Sequence, residues 1–235
     1  MRHPQPCRKT RDQLLTQIGA WRRWAAIATA ATAVGCSSGP SRIKPPGIDA
    51  GDAGAEAIEM YDKDGDGMIA GSELDAAPGI KSALETIDVS PADGKVSAEE
   101  IAARVEAWQS TGIGVMAVSC FVTLDGQPLQ GATVTFEPEP FLGENIKAGT
   151  AELGRSGSTV ASIPKDQRPT SDTPPGLQLG LYRVRISKKE NGQETVPAKY
   201  NEETVLGQQI SPDDPAVAGQ RVRFQLSTNT RSSLK

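Results

Sequence analysis

The sequence is nearly devoid of histidine. Its single imidazole is His3, inside a stretch with the character of a removable leader. The rest of the chain therefore excludes Ser-His-Asp and Cys-His catalysis, as well as zinc sites that need histidine. Cysteine is almost as scarce: Cys7, Cys36 and Cys120. Cys7 falls in the leader and Cys36 at its end, so Cys120 is left alone and no intrachain disulfide can form. Between Val118 and Val122 it reads as a buried apolar thiol, not a nucleophile. Aromatic residues make up only 4% of the 235 positions, so a core must be assembled from Val, Leu, Ile and Ala. Carboxylate-only chemistry would need a pair such as Glu137 and Glu139. Two alternating acids in a polar loop read instead as a solvated face, and the chain is read as non-enzymatic.

What is present begins with charge. Six of the first 35 residues are basic (Arg2, Arg8, Lys9, Arg11, Arg22, Arg23) and one, Asp12, is acidic. An apolar stretch of small residues follows, Ala25 to Gly35, too short to span a bilayer. Losing residues 1–35 would take the net charge from −4 to −9. An acidic surface of that size argues against nucleic acid as a partner. Residues 37–51, rich in Ser, Gly and Pro, read as a flexible tether. Glycine and proline, 24 and 17 in all, favour turns and β architecture further on.

Residues 62–73 run Asp-Lys-Asp-Gly-Asp-Gly-Met-Ile-Ala-Gly-Ser-Glu. Calcium takes 6–8 oxygens, so a short loop must curl back on itself to supply them. Asp62, Asp64 and Asp66 stand at loop positions 1, 3 and 5, and Gly67 stands where the chain must turn sharply. Met68 offers a backbone carbonyl, and Glu73 supplies two oxygens at position 12. A second candidate spans Asp88 to Glu100. Counting back from Gly94 puts Val89 and Pro91 at positions 1 and 3, where neither can ligate by its side chain. One extra residue in the front half repairs this, making Asp88, Ser90, Asp93, the Lys95 carbonyl and Glu100 the candidates. Calcium binding and a purely structural role both remain open for that loop. Ala55 to Tyr61 reads as the helix entering the first loop and Ser72 to Ala76 as the helix leaving it. A further helix starts at Pro78 with Ile80, Leu84 and Ile87 on one face, and Ile101, Val105 and Trp108 give the last helix its apolar face. The pair, over 52–110, resembles EF-hands, in which Ile69 and Val96 would meet as a short β contact. Its loops are closely spaced, which argues against the wide opening of a sensor.

From about Gly114 the period changes to two. Val118, Cys120 and Val122 alternate with polar residues, Asp125-Gly126 reads as a turn, and Tyr182, Val184, Ile186 and Val222, Phe224, Leu226 alternate again. Two short strands and long loops are expected between 137 and 179. The stretch 125–136, Asp-Gly-Gln-Pro-Leu-Gln-Gly-Ala-Thr-Val-Thr-Phe, with Gly180-Leu181-Tyr182-Arg183-Val184, resembles carboxypeptidase regulatory-like (transthyretin-like) domains. That resemblance covers about 114–228 and implies an antiparallel β-sandwich. Pro197-Ala198-Lys199-Tyr200-Asn201 is similar to a stretch in lipoproteins of planctomycete-type bacteria. Ala33-Val34-Gly35-Cys36 likewise resembles a lipobox, with Ala33 where that family has Leu; an ordinary secretory signal is the alternative. The resemblance implies lipid on Cys36 and, from Ser37, the outer membrane.

The expectation is thus an α+β multidomain chain, an α-helical EF-hand pair before a sandwich, bound to Ca2+ and anchored in the cell envelope through Cys36. The sandwich would be a spacer or would bind carbohydrate or another envelope protein. Phe141 and Tyr200, in expected loops, are the aromatic candidates for sugar, each with packing against the sandwich as the plainer reading.

Overall fold

The computed structural model describes residues 43–229. The expected leader, Cys36 and the beginning of the tether lie outside that range. The end of the tether does not hang free. The Ile48 and Gly47 carbonyls accept hydrogen bonds from Gln109 Nε2 (2.7 Å) and Asn145 Nδ2 (2.6 Å). A Cβ on Gly114 would come within 2.4 Å of the Lys44 carbonyl oxygen, so residues 43–49 lie against the body.

The first helix, α1 (Ala50–Tyr61), begins five residues before the expected start. Asp49 caps it, its carboxylate accepting from Asp52 N at 3.0 Å. Gly51 and Gly54 look weak by propensity, but at Gly54 a small residue is what this helix needs. A Cβ on Gly54 would sit 2.3 Å from the Ala98 carbonyl oxygen, so the last long helix approaches α1 almost to backbone contact. After α1 come β1 (Met68–Ala70), α2 (Ser72–Ala76), α3 (Pro78–Ser82), α4 (Leu84–Ile87), β2 (Lys95–Ser97) and α5 (Ala98–Ser110). The single helix expected from Pro78 is broken at Ala83 (φ −111°, ψ 9°). β1 and β2 pair antiparallel with Ile69 opposite Val96, both fully buried, as expected. A reciprocal Ser97–Glu100 capping box starts α5, and Ile101, Val105 and Trp108 are all buried.

The remaining strands form a β-sandwich-like region. They are β3 (Val118–Leu124), β4 (Gln127–Pro128), β5 (Thr133–Pro138), β6 (Gly149–Glu152), β7 (Ser158–Ala161), β8 (Gly180–Ser187), the hairpin β9 (Lys189–Glu190) and β10 (Gln193–Glu194), β11 (Gly207–Ile210) and β12 (Val222–Leu226). One sheet has the order β11-β8-β5-β6, all antiparallel; the other is β12-β3-β4, with β7 also on β3. Phe136 of the first sheet meets Phe224 of the second at 6.3 Å between ring centres. The two strands between 137 and 179 are β6 and β7. Asp125 (φ 50°) and Gly126 (φ 81°) both take the left-handed conformation that a tight β3–β4 turn needs.

The sandwich is not wholly antiparallel. β12 runs parallel to β3, from Val222 beside Cys120 to Leu226 beside Leu124. The chain leaves β11 in one sheet, passes through α6 (Pro215–Ala218) and enters the other sheet beside a strand just over 100 residues earlier in the sequence. Such a crossover leaves the direction of pairing free, whereas a tight hairpin dictates it.

The helical part and the sandwich share one continuous core. α3 lies across β8 and β11, so close that a Cβ on Gly207 would fall 1.7 Å from the Pro78 carbonyl oxygen. Tyr61 packs edge-on against Phe141 at 6.2 Å. Polar anchors flank this contact. Arg104 of α5 grips Asp213 with two bonds of 2.8 Å and donates from Nε to Gln209 Oε1 at 2.7 Å. Gln209 Nε2 in turn donates to Thr86 Oγ1 of α4 at 3.1 Å. No helix among the described residues is long and apolar enough to cross a membrane.

Candidate metal centre

The first loop is shaped by its own carboxylates. Asp62 ends α1, its N–H on the Ile58 carbonyl at 2.9 Å. Its Oδ1 accepts from Gly65 N (2.7 Å) and its Oδ2 from Gly67 N (2.9 Å). Asp64 Oδ1 accepts from Asp66 N (3.1 Å), and Asp66 Oδ1 from Met68 N (2.9 Å). Gly67 takes φ 83°, a conformation that costs little only for a residue without Cβ. The result brings one oxygen each from Asp62, Asp64 and Asp66 within 4.8 Å of one another. Like charges at that distance repel, and a cation between them is the direct remedy.

Glu73 lies apart from this cluster. Its Oε1 accepts from Lys63 N (2.6 Å) and Asp64 N (3.3 Å), and its Oε2 from Ala70 N (2.9 Å). It is 8% exposed, and the N–H groups of Lys63 and Ala70 hold its carboxyl below the usual range. Glu73 thus ties the two ends of the loop together. One contact has no counterpart in the sequence reading: Lys95, expected only as a carbonyl donor, reaches from the second loop to Asp66 Oδ2 at 2.9 Å. The ammonium lowers the Asp66 pKa, and Asp66 raises that of Lys95. The pairing of Ala70 with Lys95 across β1 and β2 was the available clue, since it sets the lysine beside the first loop.

The second loop repeats the frame with one residue more. Gly94 N donates to Asp88 Oδ2 at 2.6 Å, as Gly67 N does to Asp62, and Lys95 N donates to Asp93 Oδ1 at 3.0 Å, as Met68 N does to Asp66. Asp88 therefore stands where Asp62 stands, six residues before its glycine instead of five. Ligand geometry does not follow. Asp88, Asp93 and Glu100 form no second cluster of carboxylates like that of the first loop among the described residues. Glu100 Oε2 is committed to the capping box with Ser97, its Oε1 is buried without a partner, and Ser90 is exposed.

Elsewhere the side chains correct several expectations. Glu139 is not on a solvated face but wholly buried, accepting from the Tyr61 hydroxyl (2.6 Å), Gly79 N (2.8 Å) and Arg183 Nε (2.9 Å). Burial first, then the Glu139 charge, pushes the Tyr61 phenol above its ordinary range. Glu137 pairs with Arg185 at 3.0 Å, so each of the two acids has its own arginine partner. Phe141 and Tyr200 pack in the core and offer no platform. Cys120 is buried as expected, and that burial raises its thiol to about 11.

No family model matches the chain, and no curated protein matches it. The fold and site define a mixed α+β protein with a β-sandwich-like region and an exposed acidic triad able to hold a metal ion.

Proposed function

We propose that this protein is a calcium-binding, lipid-anchored protein of the cell envelope, in which an EF-hand-like pair is docked on a transthyretin-like, non-catalytic sandwich. The observation that carries the reading is the convergence of Asp62, Asp64 and Asp66. An oxygen-only, multiply charged donor set suits a hard cation such as calcium and not a thiolate- or imidazole-seeking metal. The Met68 carbonyl would supply a further oxygen, and Glu73 would reach the ion by exchanging its bonds to the Lys63, Asp64 and Ala70 N–H groups for it. Bound calcium would relieve carboxylate repulsion, and its binding energy would add to folding. The anchors on Arg104, Gln209 and Tyr61 favour a fixed, stabilising site over a sensor that opens. An affinity typical of extracellular modules follows, a Kd of about 10⁻⁴–10⁻³ M.

The anchor at Cys36 and an outer-membrane location rest on the basic leader and the Ala-Val-Gly-Cys ending. The alternative, an adhesion module for carbohydrate or another envelope protein, loses its aromatic candidates to the core, which favours the spacer reading of the sandwich.

Calorimetric titration of the purified protein with CaCl2 tests the calcium part. One site per chain in that range is expected, and nanomolar affinity or no heat at all would contradict it. Labelling cells with a palmitate analogue tests the anchor: Cys36→Ser should abolish incorporation and release the protein from membranes.

A further inference from the structure

Besides Glu73, side chains of the sandwich reach the helices on either side of the first loop. Tyr61, which closes α1, directly precedes Asp62. Ala76, which closes α2, belongs to the helix that carries Glu73. One ion pair reaches both. Glu139, with no exposed surface, accepts from the Tyr61 hydroxyl and from Arg183 Nε through one oxygen, and from Gly79 N, just beyond α2, through the other. Arg183 of β8 also donates to the Tyr61 hydroxyl, reaches the Ala76 carbonyl at 3.4 Å and lies 5.8 Å from the centre of the Tyr61 ring.

A buried carboxylate is costly unless charge and hydrogen bonds satisfy it. Packing alone would be served as well by an apolar residue. The arrangement that satisfies Glu139 fixes the end of α1, where the loop begins, relative to the far end of α2, the short helix that carries Glu73. The loop ligands are held by short backbone bonds that follow those ends, so displacing either end displaces the carboxylates.

Resting on the calcium reading above, we infer that Glu139 and Arg183 are positioning residues for the cation site, acting through Tyr61 and the α2–α3 junction. The coupling is reciprocal. Calcium in the loop strengthens the grip of the helical pair on the sandwich by the factor that the grip adds to calcium affinity.

The test is calcium titration of the full chain and of Tyr61→Phe, which keeps the ring and removes only the hydroxyl. Loss of a hydrogen bond to a buried charge should weaken calcium binding about three- to tenfold. Glu139→Gln, which keeps the shape but drops the charge and turns one of the two acceptors into a donor, should weaken it as much or more. Phe224→Leu serves as the control: it lowers the melting temperature from within the sandwich and should leave affinity unchanged. Folded Tyr61→Phe and Glu139→Gln with wild-type affinity would overturn the inference alone. Phe224→Leu weakening calcium to the same degree would also overturn it, since any loss of stability would then suffice. A wild-type chain that binds no calcium would overturn the proposed function and this inference with it.

Discussion

The two loops share a backbone frame and differ in what that frame gathers. In the first, Gly67 comes five positions after Asp62, and three carboxylates converge. In the second, Gly94 comes six positions after Asp88, the equivalent hydrogen bonds still form, and the carboxylates stay apart. A loop can therefore keep its fold while its carboxylates stay apart. The fold needs one carboxylate to accept two backbone N–H groups and a glycine in the left-handed region. The metal also needs alternate side chains to point inward, and a single inserted residue breaks that alternation. The β1–β2 contact between Ile69 and Val96 ties the loops together whether or not the second holds an ion, so the second loop works as a brace for the first.

That contrast can be broken in several ways. The largest effect is expected from Asp62→Ala, which removes both a proposed ligand and the acceptor for Gly65 and Gly67. Calcium affinity should fall by more than about 100-fold, beyond the usual range of changes outside the ligand sphere, while Asp88→Ala should lower stability without changing affinity. Calorimetry and thermal melting of the two variants check this pair. Next comes a graft: replacing residues 88–94 by the first loop's Asp-Lys-Asp-Gly-Asp-Gly should restore the twelve-residue spacing and raise calcium stoichiometry from one to two.

The second half of the pair also leans on the sandwich through a titrating group. Arg104, with Ser211 in support, lowers Asp213 from its ordinary 3.8 to about 2. The folded-state value is the depressed one, so the unfolded chain takes up the proton first. This contribution to stability is full above pH 3.8 and drains away as pH falls towards 2. The carboxylate is half exposed, so the effect should be modest. Asp213→Asn should flatten that part of the stability–pH curve, as followed by denaturant midpoints. The smallest effect is expected at Lys95. Lys95→Met removes an ammonium that competes for Asp66, so calcium should bind about two- to fivefold more tightly, with the gain shrinking in high salt.

Much of this could be read from the residues because it is local. The spacing of Asp62, Asp64 and Asp66 dictates their convergence. Position 8 of each loop pairs Ile69 with Val96, Asp125-Gly126 marks its own turn, and the period-two runs mark β3, β8 and β12. What escaped was decided by distant partners. α1 begins at Ala50, capped by Asp49, and its Gly54 is tolerated because α5 approaches there at close range. The tether's end docks because Gln109 and Asn145 wait for its carbonyls. β12 enters parallel because it crosses between sheets. Glu139 looks like a surface acid until Tyr61, Gly79 and Arg183, from three separate parts of the chain, surround it.

The central claim is that one divalent cation in the first loop stabilises the whole body. Melting the purified protein in excess EDTA and in about 10 mM Ca²⁺ tests it most directly. At about 100 times the Kd, binding adds about 2.7 kcal/mol, which for a chain of this size corresponds to a rise of about 5–10 °C. Near-ultraviolet signals from Tyr182 in the sandwich and from Trp108 in α5 should shift together. Superimposable melts in EDTA and calcium would contradict the account.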